Sequence, residues 1–208
     1  LEAEAKAIFA SSKKIGLNFS KCVDLIIDCK GKVVISGIGK SGNIGRKITS
    51  TLASLGTPSI FLHPSDAFHG DLGILRKDDL LILISNSGET EELVRLLNYA
   101  NKNCIKSIAI TGNLDSTINK KATGSLNAAV ESEACPLNLA PTCSTSVTMA
   151  LGDALASICA MERGFKEYDF ARFHPSGNLH KLNFEIVDNI MNNQFPVSYT
   201  HLTLPTIE

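Results

Sequence analysis

The sequence predicts an α/β fold of the doubly wound type, in which a parallel five-stranded sheet is flanked by helices. Short β-branched or aliphatic runs alternate with helical stretches along the chain, which is the order of elements in a parallel sheet. The run from Leu80 to Ile84 is apolar at every position, as expected of a strand buried on both faces. The 208 residues are enough for one domain of ordinary size.

The predicted elements follow in order from a helical lead-in. Apolar residues at spacings near three and four predict helix over 2–29, broken near Gly16. Strands are predicted at 32–36, 59–62, 80–85, 106–111 and 125–130, and helices at 42–55, 90–102, 116–122, 144–162 and 179–192. Ser144, Thr145 or Ser146 is the predicted cap of the helix 144–162. We divide the chain into the lead-in 1–30, one domain over 31–193, and a tail over 194–208 that we interpret as a severed linker or non-native sequence.

Composition and charge exclude several classes of protein. The chain is 44% hydrophobic and 20% charged, with 15 glycines and 7 prolines, which is typical of a globular domain. A net charge of −1 gives no electrostatic footprint for nucleic acid or an anionic membrane. Six cysteines without a C-x-x-C pair argue against a structural zinc site and a disulfide framework, so we expect a cytoplasmic protein.

A glycine-rich loop follows the first predicted strand and opens the next helix. Its sequence, Gly37-Ile-Gly-Lys-Ser-Gly42, has the spacing of a dinucleotide-binding loop. No acidic residue ends the second predicted strand, where such enzymes bind the ribose, and Val34 stands where a Walker A motif needs glycine. A nicotinamide-dependent enzyme is therefore disfavoured. Two interpretations remain: a general phosphate site formed by amide groups and Ser41, or a plain strand-to-helix turn.

A second loop, rich in hydroxyl groups, follows the third predicted strand. Ser85-Asn-Ser-Gly-Glu-Thr90 places three hydroxyls and one side-chain amide in six positions. This neutral set suits a phosphomonoester, although Ser87 as the cap of the next helix would explain the same residues. Both loops follow parallel strands, and open α/β folds bind ligands at that carboxyl edge. We therefore favour a ligand site.

Five motifs occur in a fixed order from residue 37 to residue 177. They are Gly37–Gly42, His63-Pro64 with His69-Gly-Asp-Leu-Gly73, Ser85–Glu89, Glu133-Ala-Cys-Pro-Leu137 with Ala140-Pro-Thr142, and His174-Pro-Ser-Gly177. Together they resemble the sugar isomerase (SIS) domain of D-arabinose-5-phosphate isomerases, over about 32–182. In full-length relatives a pair of cystathionine-β-synthase (CBS) domains usually follows, and we expect that these were removed here or are lacking.

The resemblance implies a fold, an activity and a mode of assembly. The fold is the SIS-type doubly wound sheet, similar to flavodoxin and Rossmann folds. The activity is interconversion of D-ribulose 5-phosphate and D-arabinose 5-phosphate through an enediol or enediolate, on the way to Kdo and lipopolysaccharide. Such enzymes use no cofactor and form homotetramers with shared active sites. Nucleic acid and membrane are not expected partners.

The resemblance also implies roles for individual residues. The catalytic set is Lys40, Glu92, Glu133 and His174. The substrate-binding set is Ser41, Gly56, Thr57, His69, Ser85, Asn86, Ser87 and Thr90. His63 matches a position linked to an inhibitory divalent metal.

The chemistry of aldose–ketose isomerisation needs a base, an acid and a group that stabilises an enediolate. We predict Glu133 as the proton shuttle, with a pKa brought toward neutrality, and Lys40 as the electrophile. His174 is the predicted ring-opening or second acid–base group, and Glu92 orients the others. Structural alternatives stay open, because Glu133 can cap a turn and Glu92 can stabilise a helix N-terminus. The alternative function is a non-catalytic sugar-phosphate sensor domain, in which the carboxylates are dispensable.

Overall fold

Five parallel strands form the sheet at the centre of the protein. The computed structural model describes residues 1–175, in one unit over Leu1–Gly164 and a second that begins at Phe165. The strands are β1 (Val33–Gly37), β2 (Ser59–Phe61), β3 (Leu80–Ile84), β4 (Lys106–Thr111) and β5 (Gly124–Asn127). They lie in the order β2-β1-β3-β4-β5, and every neighbouring pair is parallel. The predicted doubly wound α/β fold is therefore confirmed.

Helices cover both faces of this sheet. The first unit contains α1 (Glu2–Ser12), α2 (Leu17–Ile27), α3 (Gly39–Ser54), α4 (Pro64–Ala67), α5 (Glu91–Lys102), α6 (Thr117–Lys121), α7 (Cys143–Glu162) and a short 3₁₀ helix (Asp71–Ile74), and the second unit contains α8 (Glu167–Phe173). The break near Gly16 falls between α1 and α2, as predicted. The predicted helix 179–192 and the tail 194–208 lie outside the described residues.

Alternate residues of the central strands serve two separate hydrophobic cores. Ile35 and Ile82 face α2, α3 and α7 in one core, whereas Val34 and Leu81 face α4 and α5 in the other. Because both faces are covered, every residue of β1 and β3 is buried. This explains why β3 is apolar at every position and why Val33-Val-Ile35 of β1 shows no alternation.

Helix α7 is a core helix of the first unit. Its length and apolar composition would also suit a membrane span, but over half of its most apolar stretch is buried inside the protein. It packs closely on α3, since a Cβ at Gly152 would lie 2.4 Å from Ile48 Cδ1. The α3–α7 contact brings the starts of these two helices to the same end of the sheet.

The structure differs from the sequence prediction most clearly at two element boundaries and in two short helices. Helix α3 begins at Gly39 rather than at residue 42, because the turn after β1 is tight: a Cβ at Gly42 would lie 2.7 Å from the Gly37 carbonyl oxygen. Strand β5 ends at Asn127 rather than at residue 130, where the Asn127 side chain accepts a hydrogen bond from Ala129 N at 2.9 Å and turns the chain away. The short helices α4 and α8 were not predicted, because four to seven residues are too few to show a helical period.

Candidate active site

The two loops identified in the sequence leave the sheet side by side. Strands β1 and β3 are neighbours, and their last residues, Gly37 and Ile84, are paired in the register. The chain passes from β1 to β2 on one side and then to β3 on the other, so this is the point where the strand order reverses. Ligands of open α/β folds bind in the crevice at that point. The loops 38–42 and 85–90 form its two sides.

The crevice between these loops is closed by the start of α7. The polar groups that line it are hydroxyls and one side-chain amide. They belong to Ser41, Asn86, Thr111, Ser144, Thr145 and Thr148. The last four were not predicted as site residues. For Ser144, Thr145 and Thr148 the signal was the run Cys143-Ser-Thr-Ser-Val-Thr148, whose hydroxyls also suit a helix cap. Thr111, the last residue of β4, gave no such signal.

The loop 85–90 is held by its own hydroxyl groups. The Ser85 hydroxyl is buried, accepts a hydrogen bond from Gly88 N at 3.0 Å and lies 2.9 Å from Thr90 Oγ1. Thr90, not Ser87, is the N-cap residue of α5, so the capping alternative for Ser87 is wrong. Ser87 and Asn86 are exposed. Ser85 therefore shapes the loop, while Ser87 and Asn86 are available to a ligand.

The same loop is fixed to the segment after β4. The Asn86 carbonyl accepts from Gly112 N at 3.0 Å, and the Gly88 carbonyl accepts from Ile118 N at 3.1 Å. Gly88 has a φ of +67°, and a Cβ there would lie 2.1 Å from Ser116 Oγ. These contacts fix the position of the loop relative to the segment after β4. The amide groups of the first turn of α5 have no acceptor inside the helix and remain available to an anion.

Lys40 and Ser41 lie in the first turn of α3, on the opposite side of the crevice. Lys40 is exposed, and its ammonium forms no ion pair with any residue that the structure describes. Ser41 is half-buried and lines the crevice. A positive charge that no carboxylate of residues 1–175 neutralises therefore lies beside Ser41, at the rim of a polar crevice.

Glu133 caps helix α7. Its Oε2 accepts hydrogen bonds from Thr142 N at 2.7 Å, Thr142 Oγ1 at 3.0 Å and Ser144 N at 3.2 Å. The predicted cap, Ser144, Thr145 or Ser146, is wrong: Thr142 is the N-cap residue, and no cap hydrogen bond comes from its own side chain. The other carboxylate oxygen, Oε1, accepts none of these three hydrogen bonds. The cap hydrogen bonds therefore hold Glu133 through its Oε2 oxygen.

The pKa of Glu133 is lowered rather than brought toward neutrality. Burial opposes ionisation, but the hydrogen bonds from Ser144 and Thr142 outweigh it and hold the pKa below its ordinary value. This corrects the sequence-based expectation. A helix N-terminus stabilises a carboxylate, and Glu133 is accordingly ionised at neutral pH, which is the form that accepts a proton.

Glu92, His63 and His69 lie on neighbouring elements at the same edge of the sheet. Glu92 is in the first turn of α5 and half-buried. His63 follows β2 as the N-cap residue of α4, and His69 lies just after that helix, exposed. Within residues 1–175, no three His, Cys, Asp or Glu side chains come close enough to hold a metal ion. The metal role of His63 stays a prediction.

Gly56 and Thr57 lie at the opposite edge of the sheet. They precede β2, whereas the crevice is formed by loops that follow strands. Thr57 is buried, and its hydroxyl accepts a hydrogen bond from the Arg163 guanidinium. The structure does not bring these two residues together with Ser41 and Ser87 in one chain.

His174 belongs to the second unit. It follows α8, its ring stacks on Phe170 with the centroids 3.9 Å apart, and its Nδ1 lies 2.8 Å from the Phe170 carbonyl oxygen. These contacts fix the ring relative to α8. Its catalytic role stays a prediction.

Comparisons with known proteins agree with this geometry. The SIS domain model matches residues 25–158. The chain is 47% identical over 200 residues to a probable arabinose 5-phosphate isomerase of Haemophilus influenzae, covering 94% of this chain and 58% of that protein. It is 48% identical over 189 residues to the arabinose 5-phosphate isomerase KdsD of Pseudomonas aeruginosa, covering 91% and 58%. The chain thus spans less than two thirds of the length of these curated relatives.

A solved structure, most of whose chain this protein covers, has the same fold. A protein of Escherichia coli CFT073 in complex with A5P is 41% identical and superposes with a TM-score of 0.81, covering 84% of this chain and 93% of that chain. The residues that the SIS domain model matches, 25–158, include β1 to β5 and both loops of the crevice. The family predicted from the five motifs is confirmed: this chain belongs to the SIS domain family.

Proposed function

We propose that this domain interconverts D-ribulose 5-phosphate and D-arabinose 5-phosphate. The observation that carries the proposal is the pairing of two anion-binding loops at the point where the strand order reverses. The exposed ammonium of Lys40, which forms no ion pair with the described part of the chain, lies at the rim. Similarity to proteins named arabinose 5-phosphate isomerases, and to a relative in complex with A5P, supports this choice of sugar phosphate.

The phosphate group binds where hydroxyls and free amides face the crevice. Ser87 and Asn86 are exposed on the loop 85–90, and Ser41 faces them from α3. The starts of α3 and α5 add amide donors and the positive ends of two helix dipoles. A phosphomonoester suits this set because it presents several acceptor oxygens and a localised negative charge.

The isomerisation needs one proton to move between adjacent carbons. A base removes a proton from C1 of the ketose, and the carbonyl electrons at C2 move onto O2 to give an enediolate. The base then delivers the proton to C2, while the O1 proton is transferred to O2, which leaves the aldehyde at C1 and a hydroxyl at C2. Glu133 acts as the shuttle through Oε1, the oxygen that takes no part in the cap hydrogen bonds, while those bonds to Oε2 hold the carboxylate in place. The Lys40 ammonium stabilises the enediolate oxygen.

The proposal also covers the oligomeric state, the roles of the remaining residues and the cellular location of the reaction. Gly56 and Thr57 lie at the far edge of the sheet in their own chain. In a homotetramer with shared active sites, the half-buried Gly56 contacts substrate in a neighbour's site, and the buried Thr57 supports that turn from behind. His174 supplies the ring-opening acid or base, Glu92 orients the catalytic groups, and His69 contacts the sugar. The reaction takes place in the cytoplasm without a cofactor, on the way to Kdo and lipopolysaccharide.

A coupled assay with D-ribulose 5-phosphate, with and without chelator, tests this function. The expected result is D-arabinose 5-phosphate as the aldose formed, at a rate that chelator does not abolish. Binding of the sugar phosphate without turnover would refute the enzyme and favour the sensor alternative. A different aldose would refute the choice of substrate.

A further inference from the structure

Glu89 is a carboxylate within a loop that we assign to a phosphate group. It lies between Gly88 and Thr90, next to the exposed Ser87. A negative charge so close to an anion site weakens binding unless it is turned away and neutralised. The position of this side chain therefore needs a physical explanation.

The structure turns the Glu89 carboxylate toward α6. Its Oε1 accepts a hydrogen bond from Thr117 N, the first amide of that helix, at 2.7 Å. The hydrogen bond from Thr117 holds the pKa of Glu89 below its ordinary value, with a smaller contribution from the nearby Lys120 ammonium. The charge is thus satisfied by a helix amide and a cation, away from the crevice.

This contact adds a side-chain link to the two backbone hydrogen bonds that join the loop 85–90 to the segment after β4. The backbone bonds hold the loop at Asn86 and Gly88. The Glu89 bond holds it at the residue directly before the N-cap of α5. The direction in which the first-turn amides of α5 point depends on that junction.

We propose that Glu89 is a positioning residue for sugar-phosphate binding: by accepting from Thr117 N, it fixes the junction between the loop 85–90 and α5. The inference rests on the proposed function for the identity of the ligand. It requires a hydrogen-bond acceptor at this position and not a negative charge. Glutamine should therefore replace Glu89, and alanine should not.

The test compares Glu89→Ala, Glu89→Gln and Asp115→Ala in the full chain. Asp115 is a matched control, because it is exposed and lies close to the start of α6, yet its carboxylate makes no hydrogen bond with the described residues. Steady-state kinetics with D-arabinose 5-phosphate give kcat and KM, and hydrogen exchange measures the amides of the peptide covering 86–93.

We expect Glu89→Ala to raise KM between about threefold and tenfold, the size of one net hydrogen bond, with kcat changed less than KM. Exchange in 86–93 should speed up at least about threefold, by the same hydrogen-bond estimate. Glu89→Gln and Asp115→Ala should keep wild-type KM and exchange. Equal losses in Glu89→Ala and Glu89→Gln, or no change in either, would overturn the proposal. If the proposed function is wrong, the wild-type protein will show no turnover. In that case hydrogen exchange in the variants still tests whether Glu89 fixes the junction between the loop 85–90 and α5.

Discussion

Replacing Gly88 with alanine tests whether the loop 85–90 is built around a residue without a side chain. Gly88 has a φ of +67°, and an added Cβ would lie 2.1 Å from Ser116 Oγ and 2.4 Å from Ser116 Cβ. The left-handed conformation alone costs an alanine about 1–2 kcal/mol. To relieve the overlap, the loop must retreat by about 1 Å or more, since ordinary contacts begin near 3.4 Å.

That retreat breaks the two backbone hydrogen bonds of the loop, at Asn86 and Gly88. Each bond contributes about 1 kcal/mol net. The predicted loss in the free energy of unfolding is therefore about 3–4 kcal/mol. Gly88→Ala should also raise KM for the sugar phosphate, because the amide groups at the start of α5 move with the loop.

Two other glycines allow the cost of the left-handed conformation to be measured separately from the cost of the overlap with Ser116. Gly73 has no positive φ and open space for a Cβ, and Gly164 has a φ of +66° with open space. Urea denaturation should show a change within about 0.5 kcal/mol for Gly73→Ala and a loss of about 1–2 kcal/mol for Gly164→Ala. A Gly88→Ala variant that loses no more stability than Gly164→Ala would refute the overlap argument. A normal KM in Gly88→Ala would refute the link between loop and ligand.

Two carboxylates give further predictions. Because the folded pKa of Glu133 is lowered, its charge stabilises the fold above the ordinary value of 4.5 and ceases to do so as the pH falls through the folded pKa. The stability advantage of wild type over Glu133→Gln should thus be constant from about pH 7 to pH 5 and shrink below about pH 4.5 in urea denaturation; an advantage that grows on acidification would contradict this. Asp79 is buried and accepts from Lys32 N, Arg76 N and Lys32 Nζ. Asp79→Ala should lower the free energy of unfolding by about 2–3 kcal/mol, whereas Asp78→Ala, a neighbouring carboxylate with no such contacts to the described residues, should change it little.

Patterns that depend on local repetition could be predicted from the sequence. The apolar runs of β1 and β3 and the helical periods of α5 and α7 each contain enough residues to show their spacing. The edge of the sheet at which the site lies could be predicted from the same patterns, because the loops that follow parallel strands meet at one edge whatever their sequence. Lys40, Ser41, Asn86 and Ser87 were placed there by topology alone.

Features that depend on contacts between distant segments could not be predicted. Glu133 caps α7 from nine to eleven residues upstream, and nothing in the run Ser144-Thr-Ser146 reveals that its own hydroxyls are not the cap. The lowered pKa of Glu133 follows from those contacts. The position of Gly56 and Thr57, by contrast, could have been predicted, because both precede the predicted strand 59–62 and therefore lie at the edge of a parallel sheet opposite the carboxyl edge.

Turnover by a Lys40 variant tests most directly that chemistry takes place in the crevice between β1 and β3. Lys40→Met removes the ammonium at the rim of the crevice, and Lys30→Met removes an exposed ammonium before β1, at the other edge of the sheet. With D-ribulose 5-phosphate as substrate, Lys40→Met should lower kcat/KM by about 100-fold or more, the effect of losing one group that stabilises an oxyanion. Lys30→Met should keep wild-type turnover. A Lys40→Met protein that is folded and as active as Lys30→Met would contradict the assignment of this crevice as the active site.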